Sequence, residues 1–401
     1  MPNSNNDRIL STALTIGDVQ NVVNATCGKN GTIVRWQAEE IGVGQGFVSK
    51  LKTFAPEGMD EAVQHFQKEI YKIHNCEVSV YETFALAQRP IRVPKIYGMK
   101  KLTGPDATDG DDPGFIIMED LSGSSKSLDN FSGYNKLTAE QTQQVVSELA
   151  KLHAWSQSHD TSAVEYVKFE EMFAKIKQFI DNGFAEFKKH IESGLLKLDE
   201  SLTSRLDEIK LHPDAYAETA RMNTEVGIPD CMCHGDVHTN NMMFHTNELG
   251  KPTGDLAVLI DWQLVNYGNP MTDIARVFCL GVKHQNEWPQ LLALYYRSFK
   301  TQLAEDGKIQ IPFSVRQFVE LFLRSYEVNS RIVVPMWAHI YKQISDGHIS
   351  TTDKSTSLAS IQQDMTYLFT EVLDIMSDRP RWNTAMVWSV EQQLRLSGDI
   401  D

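Results

Sequence analysis

The chain has 401 residues, with 38 Lys and Arg against 53 Asp and Glu and a formal net charge of −15. That balance excludes a basic groove tracking nucleic-acid phosphates and a polybasic membrane patch, so neither a nucleic acid nor a membrane is the expected partner. A hydrophobic fraction of 41% with 23% charged residues describes a soluble globular chain; five Cys without paired spacing, a start (MPNSNNDRIL) lacking a leader pattern and no long apolar run point to a reducing, cytoplasmic setting.

Residues 33–54, IVRWQAEEIGVGQGFVSKLKTF, predict strand, glycine turn, strand. Gly42, Gly44 and Gly46 either let backbone N–H groups approach phosphates or form a tight turn within a sheet. Residues 59–85 predict a helix. The acidic, Gly/Pro-rich stretch 102–114 breaks the chain, and GFIIMEDL (114–121) predicts a buried strand, followed by a loop over 122–133. Thr138-x-x-Gln141 is a capping box for a helix striped by Val145, Leu149 and Leu152. Further helical stripes are Phe169, Phe173, Ile176 and Ile180; Trp288, Leu292, Tyr295 and Phe299; Val315, Phe318, Val319 and Phe322; and Ile361, Met365, Leu368 and Val372. Their ordinary role is core packing. The expected architecture is α+β, with a small mixed part over 1–120 and a large, mainly helical part over 121–401. A cleft between two such parts is a natural ligand site.

The chemistry is concentrated in CMCHGDVHTNNMMF (231–244) and LAVLIDWQLVNYG (256–268). The first offers His234-x-Asp236 and then Asn241; the second ends an apolar run in Asp261. The flanking runs, MMF and LAVLI, predict a hairpin that brings Asn241 and Asp261 together at its open end. One Asp that deprotonates a hydroxyl, with an Asn and a second Asp as hard oxygen ligands for Mg²⁺, suits phosphoryl transfer from a nucleotide. A competing reading places positions 234, 236 and 238 on one side of a strand as Zn²⁺ ligands, but it leaves Asn241 and the downstream IDW unexplained. Cys231 and Cys233 suit buried strand thiols. Trp288, Tyr295, Tyr296, Trp337 and Tyr341 are consistent with either core packing or a cage for a quaternary amine.

HGDVHTNN followed by LIDW resembles the catalytic loop and metal-binding segment of aminoglycoside phosphotransferase-like kinases. Within them, the chain is most similar to the choline-kinase-like and ecdysteroid-kinase-like, or CHK kinase-like, branch. IGVGQGF (41–47), NCEVSVYETF (75–84), PKIYG (94–98), GFIIMEDLS (114–122), ELAKLHAWS (148–156) and GNPMTDIAR (268–276) add to the resemblance in the same order along the chain. It implies a bilobal protein-kinase-like fold and transfer of the ATP γ-phosphate to a hydroxyl of a small molecule. It further implies Asp236 as catalytic base, Asn241 and Asp261 as Mg²⁺ ligands, and His234 as a structural residue of the loop. Main-chain groups over Glu119 to Leu121 would meet the adenine, Asp273 would brace the catalytic loop, and Glu77 would be the helix glutamate that pairs with a phosphate-holding lysine.

The lysine is where the sequence departs from that pattern. Lys50 and Lys52 lie four and six residues past Gly46, roughly 13 and 20 Å along an outgoing strand, and no Lys occurs between Thr53 and Gln67. Either Lys50 or Lys52 substitutes in an abbreviated front lobe, or the lysine is missing, or the chain is a shortened variant. A pseudokinase or ligand-binding protein of the same fold is the corresponding alternative to an active enzyme.

Overall fold

The computed structural model describes residues 15–27, 60–87, 91–102, 114–128, 137–212, 215–219, 221–282, 285–308, 310–349, 351 and 353–400. Gly42, Gly44, Gly46, Lys50 and Lys52 lie outside the described residues. The architecture is α+β, as expected, with short sheets and long helices. Helix α1 (Ile16–Cys27) packs on strand β1 (Ile96–Lys100). Gly98 permits this approach, because a Cβ there would sit 2.5 Å from a Val22 methyl. Helix α2 (Asp60–Leu86) carries Glu77 and precedes β1, which pairs antiparallel with β2 (Phe115–Met118) through Ile96↔Met118 and Lys100↔Phe115. The expected buried strand at 114–121 is therefore shorter and only half-buried, with Met118 36% exposed. A two-stranded ribbon, which is all the described sheet contains, covers its strands incompletely.

The expected loop over 122–133 contains a strand, β3 (Ser125–Ser127). Its polar SKS sequence has no strand signature; backbone pairing to β5 (Met242–Thr246) makes it one, with Lys126 opposite Phe244. Strand β5 in turn pairs with β6 (Pro252–Leu259) through Met242↔Leu259, which is the hairpin expected from the sequence. A separate ribbon joins β4 (Cys231–Cys233) to β7 (Asn266–Gly268).

Helix α3 (Ala139–Ser156) begins with the predicted capping box: Gln141 N–H donates to Thr138 Oγ1 and Thr138 N–H to Gln141 Oε1. Helices α4 (Phe169–Glu192), α5 (Met271–Gly281), α6 (Trp288–Glu305), α7 (Val315–Asp346), α8 (Lys354–Ser377) and α9 (Arg379–Leu396) follow. The described apolar side chains of these helices meet in one core, where Trp288 lies 5.9 Å from Phe278, 5.4 Å from Phe322 and 4.5 Å from Tyr326, ring centroid to ring centroid. Trp288, Tyr295, Tyr296 and Trp337 are all buried. For these four, core packing holds and the amine cage does not, because rings closed off from solvent present no face to a ligand; Tyr341, the fifth residue of that reading, is only partly buried and packs against the same core. No helix among the described residues is long and apolar enough to cross a membrane.

Candidate active site

Strand β4 delivers the chain into His234, Gly235 and Asp236. Gly235 has φ +84°, and a Cβ on it would lie 2.1 Å from the Leu264 carbonyl oxygen. Only glycine fits both the conformation and the space. Gly235→Ala is expected to cost about 3 kcal/mol, combining left-handed strain with overpacking against main chain, and to lower both the melting temperature and the activity. Unchanged thermal denaturation of that variant would contradict the packing described.

The loop is held from below by Asp273, in the first turn of α5. Its Oδ2 accepts the His234 N–H at 2.7 Å and its Oδ1 the Gly235 N–H at 3.0 Å. His153 on α3 places Nε2 3.3 Å from the same carboxylate and Nδ1 2.9 Å from the Tyr295 hydroxyl. Burial pushes the Asp273 carboxyl up, yet the His153 hydrogen bond, the neighbouring imidazoles and the Gly235 N–H hold it below the ordinary aspartate value. A buried carboxylate with this many donors stays ionised and fixes its partners. His153, Cys233 and Asp273 come within 4.8 Å of one another. Their polar atoms are engaged internally, the Cys233 thiol facing the Asn269 and Cys231 carbonyls at 3.4 Å, so the cluster is a brace for the loop.

His234 is fully buried, with its ring 4.4 Å from that of Trp262. Nε2 donates to the Ile260 carbonyl at 3.0 Å and Nδ1 accepts the Asp236 N–H at 3.3 Å. Burial lowers its pKa, which keeps the ring neutral and in this tautomer. Both ring nitrogens are thus occupied by main chain, which removes His234 from any Zn²⁺ site and leaves the zinc reading without its first ligand.

Asp236, Asn241 and Asp261 are brought together by the loop and the hairpin. Asn241 Nδ2 donates to the Asp236 main-chain carbonyl at 3.0 Å, and the Asn241 carbonyl accepts the Ile260 N–H at 3.0 Å. With its amide nitrogen engaged, Asn241 keeps Oδ1 as a ligand atom. Asp261 has φ +66°, and it is the one non-glycine residue with positive φ among the described residues. Aspartate tolerates this region better than most residues, and strain of this kind is concentrated at functional sites. Burial and the Asp236 charge push the Asp261 carboxyl up to about 6. At Asp236 burial also pushes upward, but His238, whose Nε2 stands 3.6 Å from the carboxylate, together with Arg276 and His234 holds it below the ordinary value. The result is one ionised carboxylate beside another that resists ionisation, an arrangement that a divalent cation would relieve.

Glu77 comes to the same place from α2. Its Oε1 accepts the Trp262 N–H at 3.4 Å, and burial together with the Asp261 charge pushes it up to about 7. Sequence reading identifies Glu77 only as a partner for a lysine; its contact with the residue after Asp261 joins positions 185 apart in the chain and leaves no local signal. His238 reads from the sequence only as a zinc candidate; its place two residues after Asp236 is the local signal for its position beside that carboxylate. At the expected adenine segment, Glu119 N–H donates to the Lys95 carbonyl at 2.9 Å, Glu119 Oε1 accepts the Lys95 N–H at 2.6 Å, and the Leu121 carbonyl accepts from Ser124 and Ser125. The Glu119 carbonyl and the Leu121 N–H take part in none of these bonds.

Residues 52–379 match the family model described as DUF1679: Uncharacterized oxidoreductase dhs-27. The chain is 25% identical over 280 residues to Uncharacterized oxidoreductase dhs-27 of Caenorhabditis elegans, an alignment covering 68% of this chain and 32% of that protein; it thus spans about a third of that relative's length. It is 24% identical over 283 residues to Uncharacterized kinase-like protein D1044.1 of Caenorhabditis elegans, covering 67% of each. It aligns with the solved choline kinase of Cryptosporidium parvum Iowa II at 13% identity and a TM-score of 0.41, over 75% of this chain and 77% of that one.

Proposed function

We propose that this chain, which belongs to the DUF1679 family, is a cytoplasmic ATP- and Mg²⁺-dependent phosphotransferase that moves the γ-phosphate to a hydroxyl of a small molecule. The observation that carries this reading is the meeting of Asp236, Asn241 and Asp261 at one end of the β5–β6 hairpin, with Asp261 in left-handed backbone. The kinase-like relative supports it. The donor set suits Mg²⁺: a carboxylate and an amide oxygen, both hard ligands, in a cluster where burial and then the Asp236 charge keep Asp261 from ionising freely. When bound through Asn241 and Asp261, Mg²⁺ would supply charge neutralisation on the nucleotide phosphates.

The chain's own residues do the rest. Asp236, held ionised, takes the proton of the acceptor hydroxyl as the hydroxyl oxygen attacks the γ-phosphorus, and the bond from that phosphorus to the bridging oxygen breaks to release ADP. His234 fixes the Asp236 backbone through Nδ1, and Asp273 fixes the two residues before it. The residues over 1–120 would form the front lobe, with Gly42, Gly44 and Gly46 over the phosphates, Glu119 to Leu121 at the adenine, and Lys50 or Lys52 paired with Glu77.

Calorimetry with Mg·ATP, together with ADP release over a panel of small alcohols, tests the proposal. The expected results are acceptor-dependent ADP release and about tenfold or greater weakening of Mg·ATP binding by Lys50→Ala or Lys52→Ala. Weak binding indifferent to both substitutions, with no ADP release on any acceptor, would assign the chain to the pseudokinase or ligand-binding alternative.

A further inference from the structure

Helix α5 is enclosed on every side but one. From Met271 to Gly281 all its residues are buried except Thr272 and Arg276, which a spacing of four places on one line of the helix. Thr272 turns its hydroxyl to the Asn269 carbonyl at 2.7 Å, so Arg276 is the charged group presented at this opening. It stands one turn past Asp273, whose carboxylate holds the His234 and Gly235 N–H groups. The line of α5 that reaches solvent therefore adjoins the catalytic loop.

The Arg276 guanidinium has no acceptor among the described residues: it makes no ion pair within 4.0 Å and no hydrogen bond. The other described arginines pair with a carboxylate, as Arg92, Arg324 and Arg379 do, or are exposed, as Arg221 and Arg316 are. A charge drawn partly out of water is ordinarily paired, and a planar fork of N–H donors without an acceptor is a ready receptor for an anion. Arg276 is not what holds the base in place, since the imidazole of His238 is the group beside the Asp236 carboxylate, at 3.6 Å. Nor does it face the metal end of the site. Its charge bears on Asp236 but is not among those acting on Asp261, whereas His238 acts on both. Arg276 thus stands on the Asp236 side, where the acceptor hydroxyl has to arrive once Asn241 and Asp261 hold the metal of the nucleotide.

We propose that Arg276 determines the acceptor class: it binds an anionic group, a carboxylate or a phosphate, carried by the small alcohol whose hydroxyl faces Asp236. The inference rests on the proposed phosphotransfer and narrows its acceptors from small alcohols in general to anionic ones. A guanidinium engages either oxyanion through parallel N–H bonds, which fix orientation as well as charge. With the anionic end held at Arg276, the hydroxyl is delivered to a base that already stands ionised. A cationic alcohol meets like charge at the same place, so the residue that admits an anion turns an amine away.

The test compares full-length wild type with Arg276→Gln and Arg276→Lys. The probes are glycerate, lactate and glycerophosphate, set against glycerol and choline. ADP release at saturating Mg·ATP gives kcat and KM, and calorimetry of each probe in the presence of Mg²⁺ and a non-hydrolysable ATP analogue gives binding without turnover. Gln keeps an uncharged stem of good helix propensity on a half-buried position, and thermal melts verify that both variants fold. Wild type is expected to favour an anionic probe over glycerol and choline by at least about 10-fold in kcat/KM, the preferred probe telling carboxylate from phosphate. Arg276→Gln should raise the KM for that probe by about 10–100-fold, far more than it lowers kcat, so that the preference over glycerol collapses. Arg276→Lys, which keeps the charge and loses the fork, should retain part of it. A wild type that prefers glycerol or choline, or a preference unchanged in Arg276→Gln, would overturn the proposal and leave phosphotransfer standing. Anionic-probe binding lost in Arg276→Gln, with no ADP release on any probe, would uphold the anion contact and remove the transfer; no binding of any anionic probe to wild type would overturn the anion contact itself.

Discussion

Asp261→Asn is expected to abolish acceptor-dependent ADP release and, at the same time, to raise the melting temperature at pH 8. The first half follows from the loss of a charged oxygen ligand where phosphoryl transfer depends on charge neutralisation and alignment. The second follows from the cost of keeping Asp261 ionised beside Asp236 and Glu77. In the folded chain Asp261 is pushed up to about 6 and Glu77 to about 7, burial being the largest cause for both. The unfolded chain releases these protons at ordinary carboxylate values near 4. Between those limits the folded state binds more protons, so stability falls as pH rises from about 4 and the loss is complete above about 7. A two-unit shift corresponds to at most about 3 kcal/mol, and solvent screening of the partly exposed carboxyl reduces it.

Asparagine removes the charge, keeps the shape and tolerates φ +66°, whereas alanine at the same place adds left-handed strain of about 1 kcal/mol. The gain in stability should therefore appear for Asn, shrink for Ala, and disappear for both near pH 4, where wild type is protonated. Thermal melts of the three proteins from pH 4 to 8, paired with ADP release, check the prediction. A stabilised but active Asn variant would remove Asp261 from the chemistry; an inactive variant with no pH-dependent gain would remove the carboxylate repulsion.

That coupling shows how far the residues alone lead. The hairpin was legible because MMF and LAVLI are apolar runs around a turn, and pairing them necessarily brings Asn241 toward Asp261. The capping box at Thr138 was legible because its chemistry is local. The strand at Ser125–Ser127 was not, because SKS has no apolar alternation and becomes a strand only through β5. The burial of Trp288 and Tyr295 followed from helical spacing, but that spacing could not decide between a core and a cage; enclosure by the surrounding helices decided it. The Glu77–Trp262 bond and the left-handed conformation of Asp261 arise only once α2 and the hairpin meet. No window of sequence contains both partners.

The second large effect is expected at Asp236, and it should separate proton transfer from nucleotide binding. Asp236→Asn is expected to reduce turnover by about 10²–10⁴-fold, the usual contribution of a positioned general base, while leaving Mg·ATP affinity near the wild-type value. The split follows from which atoms hold the loop. Asn241 is oriented by the Asp236 main-chain carbonyl, and the loop backbone hangs on Asp273 through the His234 and Gly235 N–H groups. An isosteric amide disturbs none of these bonds and removes only the basic oxygen. Asp273→Asn should do the reverse: the amide keeps one acceptor oxygen and sets its N–H₂ against the other main-chain N–H, so one of the two bonds is lost and the other weakens, and stability and nucleotide affinity fall together with turnover. Single-turnover rates and Mg·ATP calorimetry on the two variants distinguish these outcomes. Equal losses of affinity in both would mean that Asp236 acts by holding the site together, and a wild-type rate in Asp236→Asn would remove it as the base.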